Sequence, residues 1–148
     1  MKNMEYFYDK QKIKIYFNSI IIRSRHSGPK LLSEIEGHLL IEINDDVFFN
    51  ESGILLLELA KELTDWISAG SGDFIYYSMD YEDGPILSFQ ENQSGWRLSS
   101  VWCDTYYENM SYINFVKQAE CFISTLFSEL KNNNIHFSRD GIVLYDAD

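Results

Sequence analysis

The stretch that decides the fold is LLIEINDDVFFNESGILLLELAKELTDWISAG, residues 39–70, because its periodicity changes from strand to helix within one segment. At its start Leu39, Ile41 and Ile43 occupy alternate positions, which is the period of a half-buried strand. The turn-forming residues 44–46, Asn-Asp-Asp, separate this strand from a second apolar run at residues 47–49. The first part of the stretch therefore predicts a β-hairpin.

From Ile54 onward the apolar residues follow the period of an amphipathic helix. The members of this apolar stripe are Leu56, Leu59, Ala60, Leu63 and Ile67. Asn50 or Ser52 is the expected N-cap of the helix, and Gly70 is its expected stop. We expect Trp66 in the core or at its edge rather than in a ligand platform.

The segments on either side of this stretch predict further strands. Upstream, apolar residues again occupy alternate positions from Ile13 to Phe17, and residues 20–25 form a second strand or the far side of a bend. Downstream, turn-rich segments separate three short strand candidates, at residues 73–79, 85–91 and 96–103. These three candidates predict an antiparallel meander.

A second amphipathic helix is expected from about residue 111 to residue 132. Its apolar stripe consists of Phe115, Ala119, Phe122, Ile123, Leu126 and Leu130. Near the end of the chain, a turn at Asp140 and Gly141 separates two more apolar segments, at 135–137 and 142–145. Strands in runs with two segregated helices predict a single α+β domain over residues 1–148, an antiparallel sheet of about five to seven strands packed on two main helices.

The charge of the chain excludes several classes of partner. A formal net charge of −11 predicts repulsion from nucleic-acid backbones and anionic membranes. The first 30 residues carry seven basic and two acidic side chains, whereas between residues 32 and 112 only Lys61 and Arg97 oppose sixteen carboxylates. This long acidic region suits either a solvated surface or a docking surface for a basic partner.

The sequence contains no motif that identifies a reaction. GxGxxG, GxxxxGK[ST], GxSxG, HExxH and CxxC are all absent, so we expect no cofactor, no metal and no enzymatic activity. The N-terminal residues lack the apolar region of a secretory signal, which favours a cytoplasmic location. Cys103 and Cys121 are expected to be free thiols, with a single disulfide as the alternative.

The strand order of the predicted meander places two acidic, tyrosine-bearing loops at one end of the sheet. Alternate connections of an antiparallel meander share one end, and neighbouring strands lie about 4.8 Å apart. The candidate partner-binding residues in these loops are Asp80, Tyr81, Glu82, Asp83, Asp104, Tyr106, Tyr107 and Glu108. Tyrosine provides rigid contact area and carboxylates provide charge selectivity, so the pair of loops favours a basic protein partner, with Tyr107 as a buried anchor.

Two other interpretations of the same loops stay open. The loops could be solvated turns whose tyrosines cover the sheet edge, or two of their carboxylates could serve as a catalytic acid and base. Catalysis is the weaker interpretation, since exposed hairpin tips shift the pKa values of carboxyl groups little.

The central run, IEINDDVFFNESGILLLELAKELTDW followed by GDFIYYSMDYEDGPILSFQENQSGWRLSSVW and a long amphipathic helix, resembles small acidic immunity proteins of bacterial polymorphic toxin and contact-dependent inhibition systems. The resemblance covers about residues 36–132. It implies a protein that binds and neutralises one cognate toxin domain without catalysing a reaction. The alternatives are an intracellular adaptor or assembly protein and a small carboxylate-dependent enzyme.

Overall fold

The computed structural model describes residues 11–24, 28–93, 95–137 and 144–146. The first sheet is antiparallel and contains, in order, β1 (Ile13–Ile22), β2 (Ile35–Ile43) and β3 (Asp46–Leu55). The second sheet is also antiparallel and contains β4 (Phe74–Tyr76), β5 (Leu87–Asn92), β6 (Gly95–Ser99) and β7 (Tyr107–Met110). The helices are α1 (Leu56–Ala69), α2 (Tyr112–Asn132) and a short 3-10 helix at Gly28–Ser33, and a final pair of strands consists of β8 (Ile135–Phe137) and β9 (Leu144–Asp146).

The predicted α+β class is confirmed, although the strands form two main sheets rather than one. Three features differ from the strands expected from the sequence. The strands of the expected meander are shorter or shifted, so that the third ends at Ser99 instead of residue 103. A fourth strand, β7, lies where a loop was expected. In the first sheet, residues 13–22 form one strand with an irregularity at Ser19, so residues 20–22 continue this strand beyond the irregularity and do not form a separate second strand.

The hairpin predicted at the start of the deciding stretch is confirmed. Strands β2 and β3 are joined by Asn44 and Asp45, both of which have positive φ angles, 50° and 71°. Asparagine and aspartate tolerate the left-handed region better than other side chains, which explains why these two residues form the tight turn.

Helix α1 begins at Leu56, directly after β3, so the expected N-caps Asn50 and Ser52 are wrong. Leu55 occupies the N-cap position and no side chain caps the helix there. Residues 54–60 are all buried, which indicates that packing rather than capping fixes the start of the helix. The expected stop is confirmed, because Gly70 adopts the left-handed conformation at the C-terminus.

An aromatic cluster around Trp66 forms the centre of the core between α1, α2 and the second sheet. Trp66 is buried, and its ring contacts those of Phe74, Phe89, Trp96, Tyr112 and Phe115 at centroid distances of 5.6 to 6.4 Å. Phe89 and Phe115 stack with their centroids 3.9 Å apart. The expected placement of Trp66 is therefore confirmed, and the cluster attaches both helices to the second sheet.

Helix α2 also packs on the first sheet. The helix has the predicted extent, and Ser111 caps it by accepting a hydrogen bond from the Asn114 N–H at 3.2 Å. Phe122 lies on its buried stripe and meets Phe17 of β1 edge to face, with centroids 6.1 Å apart. Because α2 contacts both sheets, it holds the two sheets in one arrangement.

A glycine in β2 allows α1 to approach the first sheet closely. Gly37 lies opposite the irregularity in β1, where Ser19 has a φ of 61°. A Cβ atom at Gly37 would lie 2.3 Å from Leu56 Cδ1 and 2.6 Å from the Ser19 carbonyl oxygen. The leucine could turn away, but the carbonyl belongs to the backbone of the neighbouring strand, so a side chain at this position needs the strands to shift.

We therefore expect Gly37→Ala to lower the free energy of unfolding by about 1–3 kcal/mol, the usual cost of overpacking a core. Thermal and denaturant unfolding monitored by circular dichroism measure this change. Ser128→Ala, on the exposed face of α2, is the control and should change the free energy by less than about 0.5 kcal/mol. Equal stability of the two variants would show that the strands around Gly37 adapt without cost.

The two apolar segments near the end of the chain contain a pair of strands, since β8 and β9 are antiparallel neighbours. The expected turn at Asp140 and Gly141 lies outside the described residues. Within the described part of the chain, neither α1 nor α2 combines the length and the apolar character needed to cross a bilayer.

Candidate interaction surface

Two connections of the second sheet meet at one end of it. Residues 77–86 join β4 to β5, and residues 100–106 join β6 to β7. The Val101 N–H donates a hydrogen bond to the Pro85 carbonyl at 3.2 Å, and the rings of Tyr81 and Trp102 are in edge-to-face contact at 5.0 Å. The structure thus brings the two loops together, as the strand order requires.

Both loops begin with the same local structure. Ser78 and Ser100 are buried, and each hydroxyl accepts a hydrogen bond from the N–H two residues later, at 3.2 Å from Asp80 and 3.1 Å from Trp102. The carbonyl of each serine accepts a second bond from the N–H three residues later. Serine favours this turn because its short hydroxyl reaches the backbone. As a result, the two residues after each serine lie at an exposed turn tip.

A buried carboxylate of α1 accepts hydrogen bonds from residues at the start of the first loop. Glu58 Oε1 accepts a hydrogen bond from the Tyr76 hydroxyl at 2.7 Å and a longer one from the Met79 N–H at 3.4 Å. Burial, followed by the hydrogen bond to Glu58, raises the pKa of Tyr76 far above its ordinary value, so the hydroxyl stays protonated and remains a donor. The side chain that fixes the start of this loop therefore comes from the core.

The second loop packs on the first sheet. Trp102 stacks on Phe49 with centroids 6.0 Å apart, and Tyr107 meets Phe48 edge to face at 5.7 Å. The Cys103 thiol lies 3.2 Å from the Phe48 carbonyl oxygen. Burial raises the pKa of Cys103, with smaller contributions in the same direction from Glu51 and Asp104. Cys103 and Cys121 are both free thiols, and the protonated Cys103 has a packing role.

The eight residues expected at this site divide into two groups. Asp80, Glu82, Asp83, Asp104 and Tyr106 are exposed in the two loops. The other three have additional structural roles: Tyr81 is half-buried against Trp102, and Tyr107 and Glu108 belong to β7. The expectation that Tyr107 and Glu108 lie in a loop is therefore wrong. The sequence pattern does not indicate this four-residue strand, because only two of its side chains are apolar. The strand is also irregular, since Asn109 has a positive φ of 56°.

Further residues of this end of the sheet were not foreseen. Nine large hydrophobic side chains are exposed in the described part of the chain, and five of them lie in the two loops: the expected Tyr106 and, in addition, Tyr77, Met79, Val101 and Trp102. The predicted strand at residues 96–103 includes Val101 and Trp102, although the Ser-Ser pair before them is a turn signal and marks the end of the strand. Glu51 of β3 adds another exposed carboxylate near Cys103.

We call residues 77–86 and 100–106 together the loop surface. Its loops expose apolar side chains, with Met79 55% and Tyr106 53% accessible to solvent. Its carboxylates are Asp80, Glu82, Asp83 and Asp104, and within the described ranges none of them forms an ion pair. Asp80 lies near enough to Arg23 to raise the pKa of that guanidinium, after the larger effect of its bidentate partner Glu36. The surface therefore combines apolar contact area with four exposed carboxylates.

At the margin of the loop surface one cation contacts an aromatic ring. The Arg97 guanidinium carbon lies 3.8 Å from the centre of the Tyr106 ring. Arg97 Nε is 3.6 Å from Glu108 Oε1, which is too long for a hydrogen bond, and this buried Nε has no hydrogen-bond partner. The guanidinium is thus held by the ring and by an ion pair, with one donor left unused.

Two further observations bear on the chemistry of the molecule. In the ranges that the structure describes, no three His, Cys, Asp or Glu side chains are grouped so that they could hold a metal ion. On the side of α2 that faces β1, an open groove of about 300 Å³ is lined by Lys12, Lys14 and Lys117. The side chains of this basic groove are therefore opposite in charge to the carboxylates of the loop surface.

Comparison with known proteins gives a family without an assigned activity. No curated protein and no solved structure matches the chain. A family model described as a domain of unknown function, DUF7878, matches residues 4–132, a range that includes both sheets, both helices and the loop surface. The chain therefore belongs to the DUF7878 family.

Proposed function

We propose that this protein is a binding protein whose loop surface docks a basic partner protein. The observation that carries the proposal is the concentration of exposed apolar side chains among carboxylates that form no ion pair with another described residue. Exposed apolar residues grouped in one place mark interaction sites more often than residues scattered singly. The surrounding carboxylates specify a partner of opposite charge.

The two kinds of side chain have different roles in this docking. Asp80, Glu82 and Asp83 are exposed at the tip of the first loop, where their field reaches an approaching cation before contact and increases the association rate. Trp102 and Met79 provide area that loses water once the partner is in place. Trp102 is held by Phe49 and Tyr81, so little side-chain entropy is lost when it is covered. Tyr107 is half-buried and packs on Phe48, so it supports the loop surface from the side of the first sheet.

Binding fits these residues better than catalysis does. The loop carboxylates are exposed to water, whereas a catalytic acid and base need an enclosure that shifts their pKa values toward the working pH. Among binding proteins, the resemblance of the central run to immunity proteins makes a basic toxin domain the first partner to test. An adaptor or assembly protein that uses the same surface for another cellular protein is the second candidate.

Affinity capture with a matched control tests the proposal. Immobilised wild-type protein and the variant Asp80→Lys/Asp83→Lys are exposed to the same lysate of the source cell, in parallel with Glu120→Lys/Glu129→Lys. The control changes the net charge equally but replaces exposed carboxylates of α2, outside the loop surface. We expect a basic protein that binds the wild type and the control and is lost from the loop variant.

Two results would contradict the proposal. A partner retained equally by all three proteins would place the binding site elsewhere on the molecule. A partner lost equally from both variants would show that net charge, rather than the loop surface, determines binding.

A further inference from the structure

The contact between Arg97 and Tyr106 places a guanidinium group of this chain against an aromatic ring of the loop surface. Arg97 is on β6 and is one of two basic residues between positions 32 and 112. The other, Lys61, is paired with Asp65 at 2.8 Å within α1. Arg97 is therefore the one cation of this acidic region that contacts the loop surface, through the ring of Tyr106, and it also pairs with Glu108 of the adjoining strand β7.

The groups around Arg97 form an incomplete version of a guanidinium site. An aromatic face and a carboxylate are the two groups that bind guanidinium best, by cation–π contact and by paired hydrogen bonds. The ring of Tyr106 is in close contact, but the Glu108 carboxylate is 3.6 Å from Nε and instead accepts a hydrogen bond from Asn92 at 3.4 Å. The side chains of Tyr106 and Glu108 are exposed, so a group of a partner can reach them from solvent. Arg97 contacts the ring of Tyr106, but its Nε is too far from Glu108 Oε1 for a hydrogen bond.

We infer that Tyr106 and Glu108 form a binding position for an arginine side chain of the partner, and that Arg97 occupies this position in the unbound protein. The inference rests on the proposed docking function and specifies the chemistry of the partner. The partner's guanidinium approaches from solvent, unconstrained by β6, and can orient two N–H groups toward Glu108. Arg97 therefore lowers the affinity for arginine by competing for the same ring and carboxylate.

The probe for this inference is acetylated hexa-arginine amide, with hexa-lysine amide as its comparison, titrated by calorimetry at low salt. Arg97→Met removes the competitor and keeps an unbranched apolar side chain over the sheet. We expect the affinity for hexa-arginine to rise about two- to fivefold, which corresponds to the strength of an exposed cation–π contact. The gain for hexa-lysine should be smaller, because an ammonium lacks the planar donor pair.

Two controls separate competition from a change in net charge. Lys61→Met also removes one positive charge, yet it should raise the affinity less than Arg97→Met does. In a Tyr106→Leu background, Arg97→Met should give no gain, because the ring for which the arginines compete is absent. Arg97→Gln serves as a second variant, and thermal unfolding of each protein confirms that it is folded.

The inference is overturned if Arg97→Met and Arg97→Gln weaken the binding of hexa-arginine, because Arg97 would then position Tyr106 for the partner. It is also overturned if the gain persists without Tyr106, if Lys61→Met or hexa-lysine shows an equal gain, or if no folded variant binds hexa-arginine. The docking function is judged separately by the capture experiment, whose variants change Asp80 and Asp83 and leave Arg97, Tyr106 and Glu108 intact.

Discussion

Phe122→Ala is expected to lower the free energy of unfolding by about 3–5 kcal/mol, which is a large part of the stability of a domain of this size. Phe122 is 1% exposed and lies between α2 and β1, where its ring meets Phe17. Removing the ring leaves a cavity at the contact that joins α2 to the first sheet. The melting temperature should fall by about 10 °C or more.

The control for this prediction is on the same helix. Ile113 is 64% exposed, so Ile113→Ala should change the stability by less than about 0.5 kcal/mol. Denaturant unfolding of the two variants measures the difference directly. A wild-type melting temperature for Phe122→Ala would mean that α2 does not pack on β1 as described.

Asp80→Lys/Asp83→Lys is expected to slow association with the captured partner about tenfold or more at low salt, since electrostatic steering increases association rates by factors of 10 to 10³. Both side chains are exposed in the first loop, so their replacement should leave the fold intact. Raising the salt concentration should reduce the difference, because exposed charges are screened over about 8 Å at physiological ionic strength.

Surface plasmon resonance at several salt concentrations measures these rates, with Glu120→Lys/Glu129→Lys as the charge-matched control. The control should slow association much less than the loop variant. A loop variant with an unchanged association rate but faster dissociation would show that these carboxylates make direct contacts and do not steer the encounter.

The elements with strong local patterns could be predicted from the sequence. Helix α2 has a regular apolar stripe and a serine cap, and the β2–β3 hairpin has Asn44 and Asp45 at the turn, so both follow from short-range rules. The meeting of the two loops follows from the alternation of strand direction, although the strand bounds were inaccurate. In each case the decisive information lies within a few neighbouring residues.

The remaining features depend on contacts between distant parts of the chain. The start of α1 is fixed by burial of Leu56 and Leu57 instead of by a cap, and no local pattern indicates this. The role of Tyr107 as a packing residue requires Phe48, almost sixty positions earlier in the sequence. Trp102 is exposed because a buried serine ends β6, and its support comes from Phe49 of the other sheet.

Hydrogen–deuterium exchange of the protein, with and without the captured basic partner, tests most directly whether the loop surface is the docking site. We predict slower exchange of the backbone N–H groups in residues 77–86 and 100–106 on binding, with unchanged exchange on the outer face of α2. Unchanged exchange in both loops, with protection instead along Lys12 and Lys14 of the basic groove, would contradict the account.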